Sequence, residues 1–529
     1  MKRKLYLILF ALAITCTTLS LAQENCPIIP LPQKISIQEA TYTLPNSFVI
    51  KTRYSQFKHL AKQEEPVLNN LLGATQRKKK EIHLRFDASI ANEEGYQLII
   101  SPEKLEISAS GTPGCFYGLK SLQQLILHAT YNDVNEIPAM RIDDAPRYGW
   151  RGFMLDESRH FFGKETVKQL LDMMALQKLN KFHWHLTDEP GWRIEIKKYP
   201  QLTTVGGKGN FSNPTAEARY YTQKDIREII KYAADRHIEV IPEIDMPGHA
   251  TAANRAYPEF SGGGNANHPD FTFHPGKEGT YAYLTHILRE VADLFPSKYI
   301  HIGGDEVHFG NDKWAADPDV KSLMQRENLV DIKAVEHYFL KRMSDSIAAL
   351  NKTVIGWDEV VGAGLSKENT LVMWWRHDKK QLLKEAIESD FEVVLCPRRP
   401  MYLDFVQHES HTDGRRWGGF CPLDMIYKFP DSDMTGGEYY LTDKVLGVQA
   451  NAWTERMHTR ERLQFMIFPR LSAVAESGWT QDKNKNYENF ILRLNSMQKH
   501  YKKEGITVFD VMNPGEQQEI RGPEKKKHH

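Results

Sequence analysis

Asp305 and Glu306 stand side by side in "YIHIGGDEV", residues 299 to 307, behind two glycines that close an apolar run. Burying an unpaired charge is costly, so two adjacent carboxylates at a strand end need a task or a partner. General acid–base work on a bound substrate is one such task; a solvated strand end or a helix cap is the plain alternative. Similar groups recur in short apolar contexts. Asp156 and Arg159 lie in "MLDESRH", Asp188 in "HWHLTD", and Glu243, Asp245 and His249 in "PEIDMPGHA". Asp358 follows in "GWDE", Asp404 in "YLD" and Glu455 in "NAWTE", and Trp357, Trp375, Tyr402 and Trp453 accompany them. Aromatic faces pack on the C–H face of a sugar ring while carboxylates and a guanidinium bond its hydroxyls, so this set suits a carbohydrate pocket. "HWH" sets His183 and His185 on one face of a strand, as metal-dependent barrel hydrolases do. Later strand ends offer only His249 and His301 among acids, and no metal or other cofactor is expected.

Those residues need elements to bring them together. Eight apolar runs, mostly separated by helical segments, fill the last two thirds of the chain: "WRGFMLD", "KFHWHLTD", "IEVIPEID", "YIHIGGDE", "TVIGWDE", "TLVMWW", "FEVVLCP" and "VLGVQANAW". In "KETVKQLLDMMALQKL", Val167, Leu170, Leu171 and Met174 share one helical face. Thr222 is placed to cap "TQKDIREIIKYAADRH". Strands alternating with helices in this number predict an α/β fold, a (β/α)8 TIM barrel, whose C-terminal strand ends all meet on one face. A doubly wound open sheet is the alternative, but the glycine-rich nucleotide loop expected after its first strand is missing. The seventh unit is irregular, since "HESHTDGRRWGGFCPLDMIYKF" reads as a long loop with little helix. Upstream, strand patterns such as "IHLRF", "YQLIIS" and "KLEIS" followed by "GLKSLQQLIL" predict a small α+β domain without clustered acids, His or Cys.

The layout expected is a signal peptide over 1–22, a non-catalytic α+β domain over 23–146, a catalytic barrel over 147–505 and a tail over 506–529. The leader combines a basic start, a short apolar run and a Ser20-Leu21-Ala22 end, so export to the periplasm or medium is expected. No second apolar stretch of that kind follows, so no membrane span is expected. Lys plus Arg (68) balances Asp plus Glu (68), which argues against a nucleic-acid partner. Beyond the leader stand Cys26, Cys115, Cys396 and Cys421, too few for a disulfide framework; a Cys396–Cys421 bridge stays open. The basic runs at Lys78-Lys79-Lys80 and in the terminal "KKKHH" read as solvated surface. Oligomeric state is not legible.

Taken in order, "HLTDEPGWRIEIKKYPQLT", "PEIDMPGHA", "YIHIGGDEV", "GWDE", "YLD" and "NAWTE" resemble the β-N-acetylhexosaminidases of glycoside hydrolase family 20. The likeness extends to "GTPGCFYGLKSLQQL" in the small domain. It implies that Asp305 and Glu306 are the catalytic pair and that Arg159, aided by Glu455, holds the sugar's outer hydroxyls. Trp357, Trp375 and Trp453 would be aromatic walls, with Trp374 competing for the second. Tyr402 would bond the acetamido carbonyl, Asp404 would contact the 4- and 6-positions, and Asp188 and His249 would support the general acid. The sequence departs from the family pattern at Glu189-Pro190, where Asp-Gln is usual, and in the loop from His408 to Phe420.

A conventional retaining glycosidase holds its two carboxyls about 5–5.5 Å apart, one as acid and one as nucleophile. Neighbours on an extended chain point to opposite faces and fit that division badly. Gly303 and Gly304 would let the backbone leave extended geometry. The resemblance implies another division: Glu306 protonates the leaving oxygen, and Asp305 orients the substrate's acetamido group, which attacks the anomeric carbon. The expected substrate is a glycan with a terminal β-linked GlcNAc or GalNAc. A relative specialised for 6-sulfo-GlcNAc or lacto-N-biose, a non-catalytic glycan-binding barrel and a metal-dependent amide hydrolase remain alternatives.

Overall fold

The computed structural model describes residues 26–73 and 79–524; the leader at 1–22, Lys78 and the terminal 525–529 run lie outside the described residues. Two compact units make up the chain. The first takes the residues up to Gly149 together with Met173–Leu179 and Ala475–Val508, and the second takes the rest.

The first unit is built on a six-stranded sheet of β1 (Lys34–Thr43), β2 (Ser47–Lys51), β3 (Lys79–Phe86), β4 (Tyr96–Ser101), β5 (Lys104–Ala109) and β6 (Glu136–Asp144). Their spatial order is β1-β6-β4-β5-β3-β2. β1, β6, β4 and β5 pair antiparallel, and β5, β3 and β2 pair parallel. The helix Thr112–Tyr131 lies on this sheet with Phe116, Leu119, Leu122 and Ile126 buried. Gly118 permits the close approach, since a Cβ there would come within 2.7 Å of the Ile107 side chain.

In the second unit eight strands close a parallel barrel. They are β7 (Trp150–Asp156), β8 (Lys181–His185), β9 (Glu239–Glu243), β12 (Tyr299–His301), β13 (Thr353–Trp357), β14 (Thr370–Trp374), β15 (Glu392–Leu395) and β16 (Val445–Ala452). A small antiparallel pair, β10 (Ser261–Gly263) and β11 (Thr272–Phe273), interrupts the chain between β9 and β12. β16 pairs with β7 in parallel and seals the ring. These are the eight runs read from the sequence. Strands buried on both faces need near-continuous apolar sequence, and β7 and β14 are buried along their whole lengths. Inside, Met154, Ile241, Ile355, Leu371, Met373 and Val394 form the core.

The helical expectations hold. Val167, Leu170, Leu171 and Met174 are all buried. Thr222 caps Gln223–Ala234 through a reciprocal box with Asp225. Between β15 and β16 the described residues form only short helical turns such as Leu423–Lys428 and Ser432–Thr435, as the irregular seventh unit suggested. Cys396 and Cys421 are buried free thiols, so the bridge left open is not made. Among the described residues no helix is long and apolar enough to cross a membrane.

Candidate active site

β12 ends at His301, and the chain then leaves strand geometry. His301 Nδ1 accepts the Gly303 N–H at 2.9 Å and starts the turn. Gly303 and Gly304 adopt φ of +68° and +93°, and a Cβ on Gly303 would collide with the Asp245 carboxylate. Glu306 is itself left-handed (φ +51°, ψ +19°). On an extended strand the two acids would diverge; through this turn both line one cavity at the barrel mouth. His249, the third polar group at that spot, is also left-handed at φ +54°. Each such residue costs roughly 1–3 kcal/mol, a strain that concentrates at functional sites.

Behind the pair runs a buried ion network. Glu243 Oε2 faces His185 Nδ1 at 2.5 Å and His183 Nε2 at 2.9 Å, while Glu243 Oε1 accepts the Trp357 indole N–H at 3.1 Å. His185 Nε2 passes the charge on to Asp188 Oδ2 at 2.9 Å. Asp188 in turn holds Arg159 Nη1 at 2.6 Å and His249 Nδ1 at 3.0 Å. The far nitrogen of His249 lies 3.5 Å from Asp305 Oδ2 and 3.6 Å from Glu306 Oε2, just beyond hydrogen-bond length and between the two acids. His183 and His185, the candidate metal pair of the sequence, therefore face Glu243 and Asp188 inside the barrel.

This geometry sets the charges. Burial alone would discharge His249, but Asp188 and then Asp305 hold its pKa well above the usual imidazole value. Burial pushes Asp305 up to about 7, against the pull of His249 and with the help of Glu306. Glu306 also feels burial, yet His249, Arg159 and Arg415 outweigh it and hold its pKa below the ordinary range. Burial thus favours the neutral form of Asp305, while the cations around Glu306 favour its ionised form.

Nine of the eleven predicted site residues line the cavity; Asp188 and Asp404 stand behind it. Trp357, Trp375, Tyr402 and Trp453 form its walls, with Trp375 and Tyr402 parallel to within 10° at 6.4 Å. Trp374, the competitor for the second wall, is wholly buried elsewhere. The Arg159 guanidinium sits 5.0 Å over the Trp453 ring. Burial raises the Tyr402 phenol well above its ordinary value, so it stays a donor.

Sequence reasoning missed two residues. Arg415 lines the cavity, held by Asp404 Oδ2 at 2.5 Å and Glu455 Oε1 at 3.3 Å. Glu359 fixes the Trp375 wall by accepting its indole N–H at 2.9 Å. Asp245, a strand-end acid singled out in the sequence, is buried next to Asp305, and its pKa is raised well above the carboxylate range by burial and then by that neighbour. Glu359 follows Asp358 in "GWDE", where only Asp358 was singled out, and Arg415 lies inside the loop read as irregular, which gives no strand-end signal. That loop is held by the C-terminal segment: Glu519 accepts the N–H groups of Thr412 and Asp413 at 3.0 and 2.9 Å. Arg462 donates to Ile520 O at 2.5 Å and also to Asp413 O.

An acidic, aromatic-walled cavity at the C-terminal mouth of a (β/α)8 barrel is the layout of a glycoside hydrolase. Comparison with known proteins supports that class. Residues 148–482 match the glycosyl hydrolase family 20 catalytic domain and residues 25–145 match domain 2 of the same family. The chain is 35% identical over 498 residues to a beta-hexosaminidase of Porphyromonas gingivalis, covering 89% of this chain and 62% of that relative. It is 36% identical over 416 residues to a beta-hexosaminidase of Vibrio furnissii, covering 75% and 67% respectively. It thus spans under two thirds of the length of the first relative. A mutant Streptomyces plicatus beta-hexosaminidase in complex with product GlcNAc superposes with a TM-score of 0.79 at 31% identity, covering 92% of this chain and 97% of that one. The chain belongs to glycosyl hydrolase family 20.

Proposed function

We propose that the protein is an exported, exo-acting, retaining β-N-acetylhexosaminidase that releases non-reducing terminal β-linked GlcNAc or GalNAc. Export rests on the leader-like start of the sequence. The reaction rests on one observation above all: a left-handed turn at Glu306 brings it and Asp305 into the same cavity, with His249 between them.

In this reading Glu306 gives its proton to the glycosidic oxygen as the bond to C1 breaks. The carbonyl oxygen of the substrate's own acetamido group forms the new bond to C1, and the cyclic oxazolinium keeps its N–H toward ionised Asp305. Water, losing a proton to the Glu306 carboxylate, then opens the ring with net retention, as in other substrate-assisted families. An intramolecular nucleophile supplies about 7–11 kcal/mol of barrier lowering, so no protein nucleophile is needed. Without substrate, burial favours a proton on Asp305 over one on Glu306. An acetamido N–H donated to Asp305 favours its ionised form, and a leaving oxygen beside Glu306 favours the protonated one. Substrate therefore moves the shared proton to where it is used, and the pair titrates as one unit.

Replacing the N-acetyl hydrogens with one, two and three fluorines tests this. The rate should fall stepwise, and a plain β-glucoside should be nearly inert. A flat rate across the series, with a sugar–Asp305 adduct trapped on the protein, would replace the mechanism with a conventional carboxylate pair.

A further inference from the structure

The first unit carries no catalytic pair, yet it holds a cavity of its own. β2 and β3 run parallel with Lys51 opposite His83, and His83 in turn stands opposite Glu106 on β5. Alternate residues of a strand share a face, so Lys51, His83 and Arg85 project together from one side of the sheet. Phe48, Ile50, Ile82 and Leu84 are buried on the other side, where the helix Lys58–Leu71 packs on β2. Past the strand, Thr52 Oγ1 donates to Leu84 O at 3.0 Å and accepts the Tyr54 N–H at 3.2 Å, which pins the chain beside the end of β3. Lys51, Arg53, Tyr54, His83 and Arg85 thereby line one cavity of about 310 Å³.

The cations of this cavity are unevenly satisfied. Glu106 takes up Arg85 together with Lys104, and His83 Nε2 lies 3.2 Å from Glu81. Arg53 donates to the Tyr54 hydroxyl at 2.8 Å, with its guanidinium 4.9 Å from the centroid of that ring. Among the described residues neither Lys51 nor Arg53 has a carboxylate within ion-pair reach, and both are exposed. Beside them Tyr54 packs at 6.1 Å against Phe86, which is 40% exposed. Two uncompensated cations, a further guanidinium and an aromatic edge therefore meet in one concavity. Its size is at the lower end for ligand pockets, about 300 Å³, which suits a single sugar ring. Guanidinium groups pair with carboxylate and sulfate oxygens, and the aromatic edge takes the C–H face of the ring that bears them.

We propose that this cavity binds the carboxylate or sulfate groups of an acidic polysaccharide, so that the first unit holds glycan independently of the barrel. A nucleic-acid duplex fits less well, because it needs a row of phosphate contacts and Glu81 and Glu106 interrupt any such row.

The test measures binding of heparin, polygalacturonate and neutral dextran to the full chain by titration calorimetry at physiological ionic strength. Heparin bears sulfates and carboxylates, and polygalacturonate carboxylates alone, so their comparison assigns the anionic group; dextran should not bind. The double variant Lys51→Gln, Arg53→Gln should weaken the bound polymer about tenfold, and Lys51→Gln alone, which keeps Arg53 on Tyr54, should weaken it part of the way. Lys224→Gln with Lys321→Gln, which removes two exposed lysines of the barrel unit, should leave binding unchanged. Melting curves that match wild type would show that the variants fold. Binding is read directly, so a failure of the hexosaminidase reading, seen as an enzyme inactive on a GlcNAc aryl glycoside, leaves this result standing. No binding of either polyanion, an equal loss in the barrel-lysine variant, or a DNA duplex bound as tightly as heparin would each overturn the proposal.

Discussion

Each unit buries a charged cluster, and the two clusters differ in how completely they are satisfied. In the first unit Lys178 and Asp144 are both fully buried and 3.0 Å apart. Tyr96 donates to Asp144 at 2.8 Å, the Trp479 indole N–H at 3.0 Å, and Lys178 also sits 4.5 Å from the Trp479 ring. At the barrel mouth, by contrast, Asp305 Oδ1, Asp245 Oδ1, Asp404 Oδ1 and His249 Nε2 are buried and lack a hydrogen-bond partner. Leaving a buried polar atom unpaired costs about 1–3 kcal/mol, so the first cluster holds the fold together while the second stays open to a ligand. Buried charge marks a candidate site only where its hydrogen bonds are unfinished.

The sharpest way to separate the clusters is to remove one charge from each. Glu306→Gln should lower turnover by about 10²–10⁴-fold, most severely with poor leaving groups, at an unchanged melting temperature. Near-wild-type rates on natural oligosaccharides would end the assignment of Glu306 as acid. Lys178→Met should do the reverse, costing about 3–5 kcal/mol of stability by stranding Asp144, with kcat of the folded fraction hardly moved. Denaturant unfolding beside steady-state kinetics checks both arms, and a stability loss under 1 kcal/mol would mean Asp144 finds another partner.

A smaller effect is expected at the edge of the open cluster. Glu519→Ala frees two backbone N–H groups of the loop that carries Arg415, and KM should rise by up to about tenfold with kcat less affected. An unchanged KM would show that the loop keeps its place without the C-terminal segment. The smallest effect is a slope. Asp305 has a folded pKa of about 7, above its ordinary value of 3.8, so the folded state holds its proton more tightly than the unfolded state. Its contribution to stability is complete below pH 3.8 and is lost as pH rises through 7. Melting Asp305→Asn and wild type side by side should give a difference that grows in favour of the variant across that window and then levels off. Parallel curves would mean that Asp305 is not strained by burial.

The barrel was legible because parallel strands covered on both faces must be apolar throughout, and "TLVMWW" or "WRGFMLD" stand out against polar helices. Thr222 was legible because a capping box is a local pattern. The carboxylate pair drew notice as an oddity of charge, and the cavity explains it through a left-handed Glu306 that no pattern of side chains announces. Arg415 was hidden for a different reason. Its loop has no periodicity, and its place depends on Asp404, Glu455 and a segment around Glu519 that lies about a hundred residues further on.

What the sequence determined by itself was the set of elements and the chemistry at their ends, since hydrophobic period and residue type act over a few neighbours. Membership of family 20 was legible in the same way, from short motifs in a fixed order. Only the tertiary structure decided which groups touch. It placed Asp188 and Asp404 behind the cavity, set His249 between the two acids, made His183 and His185 partners of Glu243 and Asp188, and brought Arg415 into the wall. Those outcomes depend on distances across the barrel, where a carboxylate's charge state follows from burial and from neighbours far along the chain, and no local pattern encodes them.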